Sequence, residues 1–335
     1  MGKFFANKNQ VCWAYESGTY ATAGSPAQSF GLVQTHTLSE EENIQQMRYM
    51  GTEARTVDKF LPLAEDIRGT VTYYPQDWRM LAFALGSNVD AWAGSPTEPK
   101  THTMTAVTST TYGSYLTAAG SNVFNSFSIE DAKQFNPTGL DFIRTVTGAV
   151  IDTFKISASM GEIVTCTVDY IAKDTTFTSG TVAAHTPATT TPYLWADVIL
   201  SIPSGTAQEE LKTMEFTVNN NINANHYMQA GAGRTISTPF PGNADYLLTA
   251  TLDADSTYAK ALYDTYYKTG AAFNSMLLIQ ANSGSKTITI SMSGCWMTDM
   301  TIPSENEGLN EYTLTIVPEL VSAIASDTTE LYNSW

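Results

Sequence analysis

Residues 142–173 read FIRTVTGAVIDTFKISASMGEIVTCTVDYIAK, and this stretch decides the fold class. Valine, isoleucine, threonine and aromatic residues dominate its two runs, at 148–157 and 163–172. Such runs predict β-strands. Further runs of this kind lie at 214–219, 246–252, 275–280, 287–292, 296–302 and 312–317. The chain is therefore predicted to be mainly β.

Two short helices are predicted between the strands. Residues 77–85 (DWRMLAFAL) end before Gly86, and residues 257–268 (TYAKALYDTYYK) end before Gly270, as helices closed by glycine do. Ser256 precedes the second helix as a candidate N-cap. Its apolar stripe at helical spacing predicts core packing rather than a binding surface. That stripe consists of Ala259, Leu262, Tyr263 and Tyr266.

The two halves of the chain resemble each other. Residues 55–72 (RTVDKFLPLAEDIRGTVT) and 234–251 (RTISTPFPGNADYLLTAT) match at a constant offset of 179. The identities are Arg55/Arg234, Thr56/Thr235, Pro62/Pro241, Asp66/Asp245, Thr70/Thr249 and Thr72/Thr251. Further on the offset is 146, with the identities Gly148/Gly294, Ile156/Ile302 and Thr167/Thr313. A repeat this long predicts two related domains, the first carrying about 33 extra residues.

The predicted boundaries follow from this repeat. Residues 178–192 (TSGTVAAHTPATTTP) have no charge and no period, which predicts a linker. The first domain would then span 1–177, with an insertion at about 87–125, and the second 193–335. Ser39 and Glu42 resemble a helix-capping box. However, the counterpart of 38–50 in the second half, at about 218–228, is Asn-rich and a poor helix, so both segments are predicted to be extended or looped.

The charge of the chain limits its partners. Lys and Arg number 17 and Asp and Glu number 33, so the formal net charge is −16. Binding to DNA relies on basic side chains, so a chain this acidic should not grip nucleic acid, although it could surround it. Charged residues make up only 15%, below the roughly 25% of an average soluble domain. Either copies of the chain cover much of its surface, or that surface is polar and uncharged.

No catalytic or metal-binding pattern is recognisable. None of the four histidines has a second ligand at metal spacing, and there is no GxSxG motif or P-loop. Asp253 and Asp255 lie where a strand meets a helix, which favours helix capping over acid–base chemistry. We therefore expect no enzymatic activity, no cofactor and no metal. The histidines are His36, His102, His185 and His226.

The cysteines indicate the compartment. Cys12, Cys166 and Cys295 are far apart and odd in number, so no disulfide framework is predicted and a reducing compartment fits. No signal peptide and no membrane span are recognisable, so the chain is expected to be cytosolic where it is made.

Several segments together resemble a known family. The opening at 2–24 (GKFFANKNQVCWAYESGTYATAG) contains an acidic residue, Glu16, followed by a Ser-Gly-Thr-Tyr turn. A strand at 69–74 then leads to a helix that closes in Leu85-Gly86. The strand pair at 142–173 and the Asn-rich FTVNNNINANHYM at 216–228 follow in the same order. This order resembles the tail tube proteins of siphovirus-like tailed viruses, except that Ala21 stands where their openings usually have glycine.

The resemblance implies a structural role in a virion tail. Each domain would be a β-sandwich with one flanking short helix, and its sheet would join those of neighbouring subunits into a β-barrel that lines a channel. Rings would stack through a long loop, around double-stranded DNA and a tape measure protein, and tail terminator or tip proteins would be further partners. Alternatives are another self-assembling β-protein, such as a baseplate hub, decoration protein or surface-layer subunit, or a carbohydrate-active β-sandwich protein.

Two domains per chain predict the symmetry and the surfaces of the ring. Three chains would form a pseudo-sixfold ring with about 24 barrel strands, and a true hexamer is the alternative. The repeated loops at Arg55–Thr56 and Arg234–Thr235 would either dock on the next ring or form salt bridges to Asp66 and Asp245. The channel wall should be neutral or acidic. Its candidate acidic residues are Asp253, Asp255 and Asp299, and the lysines expected on outer or inter-subunit faces are Lys59, Lys155, Lys212 and Lys260.

Overall fold

The computed structural model of the chain describes residues 4–17, 20–25, 28–48, 59–86, 88–91, 100–107, 123–135, 141–180, 182, 191–228, 234–237, 239, 241–254, 258–281, 286–302 and 310–327. The strands are β1 (Phe4–Ser17), β2 (Gln28–Ser29), β3 (Leu32–Met47), β4 (Lys59–Tyr74), β5 (Asn88–Ala91), β6 (Lys100–Thr105), β7 (Val123–Phe135), β8 (Asp141–Ser159), β9 (Thr165–Ala172), β10 (Asp174–Gly180), β11 (Val198–Ser201), β12 (Leu211–Asn219), β13 (Asp245–Asp253), β14 (Phe273–Gln280), β15 (Lys286–Thr301), β16 (Glu311–Val317) and β17 (Leu320–Asp327). The helices are α1 (Arg79–Leu85) and α2 (Tyr258–Leu262), the latter continued by a π-helical turn (Tyr263–Tyr267).

The predicted strands are confirmed, with one correction. The runs at 287–292 and 296–302 are not two strands, because β15 passes through both without a break. Its direction changes at Gly294, which has a φ of 60°. A glycine adopts this left-handed conformation without steric cost, so the strand bends and continues into another sheet. The segment at 38–47 is extended, as predicted, and not a helix.

Within the described residues, eight strands form one antiparallel sheet, which we call the long sheet. Its order is β3-β4-β9-β8-β12-β13-β16-β15. The first four strands come from the first half of the chain and the last four from the second. Strands β8 and β12 join the halves in one hydrogen-bonded ladder, which we call the internal seam.

A second layer covers one face of the long sheet. The N-terminal part of β8 leaves the long sheet to pair with β7 and β10, and β7 pairs with β1. The N-terminal part of β15 does the same with β14 and β17, and β17 pairs with β6 from the first half. Buried aromatic side chains fill the space between the layers; Phe127 of β7 lies 6.4 Å from Tyr170 of β9 and 5.3 Å from Phe83 of α1, between ring centroids.

The pairing scheme of the first half recurs in the second. Ile151 lies opposite Tyr170 in β8–β9, and at offset 146 Met297 lies opposite Ile316 in β15–β16. A β-bulge follows both positions. Strand β3 corresponds to β12 at offset 178, so the β3–β4 ladder is repeated by β12–β13, including its first bulge. The division into domains at 177 and 193 stays a prediction, because Gly180 ends β10 and most of 178–192 lies outside the described residues.

The two helices lie close to the predicted positions. All seven residues of α1 are buried, and the helix ends at Gly86, whose φ is 87°. In the second helix, Ala259 and Leu262 are buried as predicted, and Tyr266 packs against Phe273. Tyr263 is instead exposed, because the wider π-helical turn changes the angular spacing of the side chains. None of the helices in these ranges is long and apolar enough to span a membrane.

A threonine-rich sheet face with two open edges

The face of the long sheet opposite the core is lined with threonine. In β4, Val71 and Tyr73 point into the core, and Thr70 and Thr72 point to the other side. We call this other side the threonine face. The same row of cross-strand neighbours occurs on it in each half of the chain. The first row is Thr35, Thr72, Thr167 and Lys155, and the second is Thr213, Thr251, Thr313 and Thr301.

Hydroxyl contacts repeat along with the register. The Oγ1 atoms of Thr72 and Thr167 lie 3.5 Å apart, and those of the equivalent Thr251 and Thr313 lie 3.2 Å apart. Both pairs include identities of the sequence repeat. Because period-2 alternation places every second side chain on one face, the repeated threonines give this face a matching polar row in each half.

The charge of the threonine face is acidic. Lys155 is paired with Glu215 at 3.3 Å, and Lys212 lies 2.6 Å from Asp253 and 2.5 Å from Glu311. The hydrogen bonds from Lys212 to these two carboxylates raise its pKa. By strand register, the carboxylates on this face outnumber the cations among the described residues. The carboxylates include Glu41, Asp66, Asp169, Glu215, Asp245, Asp253, Asp299 and Glu311, and the cations include Arg68, Lys155 and Lys212.

The candidate channel-facing acidic residues and the lysines expected elsewhere do not separate onto different surfaces. Asp253 and Asp299 lie on the threonine face, and Asp255 lies outside the described residues. Lys155 and Lys212 lie on the same face as these carboxylates, which a sequence pattern could not show. Lys59 begins β4 and is exposed, and Lys260 pairs with Asp264 on the exposed side of α2.

Arg234 contacts the first half of its own chain. Its Nε donates to the carbonyl oxygen of Leu63 at 3.2 Å, and its Nη2 lies 3.3 Å from Oε1 of Glu42. Its own carbonyl oxygen accepts a hydrogen bond from the N–H of Glu65 at 2.8 Å. Arg234 thus has a different carboxylate partner from the hypothesised Asp245.

Asp66 and Asp245, the acidic residues of the repeated motif, contact residues of the loop that follows β12. Asp245 accepts a hydrogen bond from Nδ2 of Asn221 at 2.8 Å, and Asp66 lies 3.1 Å from Nε2 of His226. Thr235 follows Arg234 in the described turn, and Arg55 and Thr56 lie outside the described residues. The loop after β12 therefore holds the β3–β4 hairpin against the second half of the chain.

The β3–β4 hairpin extends beyond the sheet. Beyond Glu42 and Glu65 its strands continue to pair as far as Met47 and Lys59, and we call this part (42–47 and 59–63) the hairpin arm. Apolar side chains on the arm are exposed, including Ile44 at 53% and Phe60 at 59%. In the second half, β12 ends at Asn219 and no such arm forms in the residues described. Exposed apolar side chains on a projecting element mark a contact surface.

The two edges of the long sheet are open. In the residues that the structure describes, β3 pairs only with β4, and the segment from Asp299 to Thr301 of β15 pairs only with β16. Unpaired edges are templates for pairing with another chain. Their counterparts inside the chain, β12 and β8, pair with each other in the internal seam.

A buried carboxylate, Glu16, has a structural role that the sequence did not reveal. Its oxygens accept hydrogen bonds from the hydroxyls of Ser126 and Ser128 at 2.6 and 2.9 Å, and from the N–H groups of Ala21 and Gly148 at 2.9 and 2.6 Å. The side chain is fully buried, so these four donors replace its hydration. Glu16 thus ties β1, the following turn, β7 and β8 together.

A second buried polar group lies in the same half. Asp131 of β7 is opposite Arg144 of β8, with Nη2 of the arginine 2.7 Å from Oδ2. Burial alone would raise the pKa of Asp131, but its contacts with His36, whose Nδ1 lies 3.7 Å from Oδ2, and with Arg144 outweigh it and lower the pKa to about 2. His36 also contacts the hydroxyl of Tyr170 at 2.9 Å, so it has a structural role.

Groups suited to catalysis do not gather in the described ranges. No three His, Cys, Asp or Glu side chains there are arranged as metal ligands. Cys12, Cys166 and Cys295 are free and buried. Burial raises the pKa of Cys12 and of Cys295 to about 11, which makes both thiols poor nucleophiles.

Comparison with known proteins identifies the family. A family model described as phage tail tube protein matches residues 6–318. No curated protein matches the chain individually. The matched range includes all eight strands of the long sheet and both of its open edges. The chain therefore belongs to the phage tail tube protein family.

Proposed function

We propose that three copies of this virion structural protein close into a ring through their long sheets, and that the threonine faces line a channel for the genome. The observation that carries the proposal is the long sheet itself. It has one face covered by the core, one polar acidic face, and an open strand at each edge. A sheet with these properties can join its copies edge to edge and form a closed barrel.

The acidic wall suits the passage of DNA. Phosphates bind proteins mainly through basic side chains, and repeated cations along a tube would hold the polyanion in place. Lys155 and Lys212 are the lysines that would face the channel, and both are neutralised by adjacent carboxylates. The proposed wall therefore repels DNA or does not bind it, so that DNA passes without specific binding.

The strand count supports the trimer. Each chain contributes eight strands to the long sheet, so three chains would supply about 24 strands, as six single units of four would. The ring would have threefold symmetry and pseudo-sixfold strand packing, with two tandem tail-tube-like sandwiches per chain. A true hexamer, with half of each chain on the outside, is the alternative.

Stacking of rings is assigned to the hairpin arm and the adjoining loop at Arg234. The arm projects beyond the sheet and carries exposed apolar residues that a free monomer would not need. By resemblance to the family, the further partners we propose are a tape measure protein in the channel and tail terminator or tip proteins at the ends. We place assembly in the host cytoplasm and assign the chain no enzymatic activity.

Electron cryomicroscopy of tubes assembled from the purified chain tests the proposal. We expect three chains per ring, and an inner wall formed by the threonine face with neutral or negative potential. Six chains per ring would contradict the trimer, and a continuous positive potential on the inner wall would contradict the assignment of that wall.

A further inference from the structure

The internal seam shows a register in which two units of the chain join. In it, β8 and β12 run antiparallel, with Thr217 opposite Lys155 and Phe216 opposite Ile156. Phe216 and Ile156 are fully buried beneath the seam. Lys155 and Glu215 form an ion pair across it on the threonine face.

The two open edges are second copies of the two strands that form this seam. Strand β15 repeats β8 at offset 146, with the same bulge and the same glycine bend at Gly148 and Gly294. Strand β3 repeats β12 at offset 178, with the same partner register along β4 and β13. Each chain therefore contains one joined copy of the seam and the two separate halves of another.

We infer that β15 of one copy pairs with β3 of the next copy in the register of the internal seam. Transferring the register places Thr301 opposite Ser39 of the neighbouring copy, Asp299 opposite Glu41, and Ile302 opposite Leu38. This inference rests on the proposed ring and deepens it, since it names which strand edges meet and which residues face each other.

The burial of the apolar residues at the edges agrees with this register. Ile302 is the repeat counterpart of Ile156, yet Ile302 is 46% exposed and Ile156 is fully buried. Leu38, the counterpart of Phe216, is only partly buried. A second copy paired in this register would cover both, as the internal seam covers Phe216 and Ile156.

The proposed seam between copies differs in chemistry from the internal seam. The positions of Lys155 and Glu215 are taken by Thr301 and Thr37, so the ion pair is missing. Asp299 and Glu41 face each other instead, and like charges directly opposite are unfavourable. The additional link between β6 and β17 also has no counterpart among the described residues, because β6 lies in the predicted insertion of the first half. Rings should therefore open between copies before the halves of one chain separate.

Cysteine cross-linking of assembled tubes tests the register. The variant Ser39→Cys with Thr301→Cys places two thiols directly opposite, within the 4.4–6.8 Å Cα range that a disulfide needs. The variant Ser39→Cys with Asp299→Cys is displaced by two residues, about 7–8 Å apart diagonally, and serves as the matched control. Lys155→Cys with Thr217→Cys is the positive control within one chain. The native cysteines are buried and give little background.

After mild oxidation, a non-reducing denaturing gel should show covalent closed oligomers for the Ser39/Thr301 pair and monomers for the displaced pair. The size of the closed species counts the chains in a ring. Linkage of the displaced pair alone would overturn the register, and tubes without linkage in either pair would overturn the pairing of these edges. If the unmodified chain forms no tubes, the proposed function fails, and this inference fails with it.

A charge test does not depend on disulfide geometry. Thr37→Glu with Thr301→Lys transplants the ion pair of the internal seam, and Thr37→Glu with Thr301→Glu opposes like charges at the same positions. The first variant should form tubes that resist denaturant at least as well as the unmodified chain, and the second should fail to assemble. Equal assembly of the two variants would overturn the register even where the cysteine variants do not assemble.

Discussion

The two halves of the chain share a backbone arrangement but have different side chains at equivalent positions. In the first half, the buried Asp131 forms an ion pair with the partly exposed Arg144 across β7 and β8. At the equivalent positions in the second half, Leu277 and Ile290 face each other across β14 and β15, and both are fully buried. The register is thus independent of the particular side chains, because alternation and the glycine bends specify it in both halves.

The side chain that accepts the hydrogen bond of the glycine N–H at the bend also differs between the halves. In the first half, the N–H of Gly148 donates to the buried carboxylate of Glu16. In the second half, the N–H of Gly294 donates to the exposed side chain of Asn274 at 3.3 Å. The first half therefore depends on single polar residues more strongly than the second does.

The largest difference in stability loss between the halves is expected on substituting these two acceptors, Glu16 and Asn274. Glu16→Ala removes the acceptor of four buried donors, so we expect the free energy of unfolding to fall by about 3–5 kcal/mol. Asn274→Ala, its matched control, should cost less than about 0.5 kcal/mol, since solvent replaces the lost contact. Denaturant unfolding of the two variants measures both. Similar losses would contradict the polar dependence of the first half.

The glycine bends themselves give the next effect. A Cβ on Gly148 would lie 2.9 Å from the Tyr20 ring and from Cβ of Lys173, and its φ of 68° adds strain. We expect Gly148→Ala to cost about 2–4 kcal/mol. Gly294→Ala should cost less, about 1–2 kcal/mol, because the nearest atom is the flexible carboxylate end of Glu319. Thermal unfolding compares them, and a larger loss for Gly294→Ala would reverse this interpretation.

The ion pair of Asp131 and Arg144 can be exchanged for its apolar counterpart. Asp131→Leu leaves Arg144 and His36 without their carboxylate, and we expect a loss of about 2 kcal/mol, moderated by the partial exposure of Arg144 and its contact with Glu40 at 3.6 Å. Adding Arg144→Ile reproduces the second half and should recover most of that loss. A double variant no more stable than the single one would show that the halves are not interchangeable at this position.

The smallest effect on the folded chain is expected at Arg234. Its pairing with Glu42 is half-exposed on both sides. Arg234→Ala should therefore lower the free energy of unfolding by less than about 1 kcal/mol. If the loop docks on the adjacent ring, the same variant fails to form tubes, as sedimentation would show. A marked loss of monomer stability with normal tubes would instead assign Arg234 to the fold.

The first half also has the hairpin arm, which has no equivalent among the described residues of the second half. The sequence repeat at Pro62/Pro241 and Asp66/Asp245 gave no indication of this difference, because the arm forms through pairing of Glu42–Met47 with the strand that starts at Lys59. In the second half the equivalent chain folds back over the sheet, where Ile222 and Ile236 pack against Val150 and Ile171. Equivalent segments of the two halves thus differ in structure, because the loop of the second half covers an apolar patch formed by Val150 and Ile171.

The sequence by itself determined the β class, most strand positions, both glycine-closed helices and the offsets at which the halves repeat. These features depend on local alternation, turn residues and repeated identities such as Gly148/Gly294 and Thr167/Thr313, which are readable without knowing the partner of any strand. The family could be inferred from the same order of segments.

Only the tertiary structure decided which side chains meet. The continuity of β15 through both sheets, the pairing of Arg234 with Glu42, and the presence of Lys155 on the threonine face all depend on strand order and register. So do the four donors around Glu16, two of which come from residues more than 100 positions away on β7. Contacts between distant segments are chosen by the whole packing arrangement, whereas alternation along one strand is a local property of the chain.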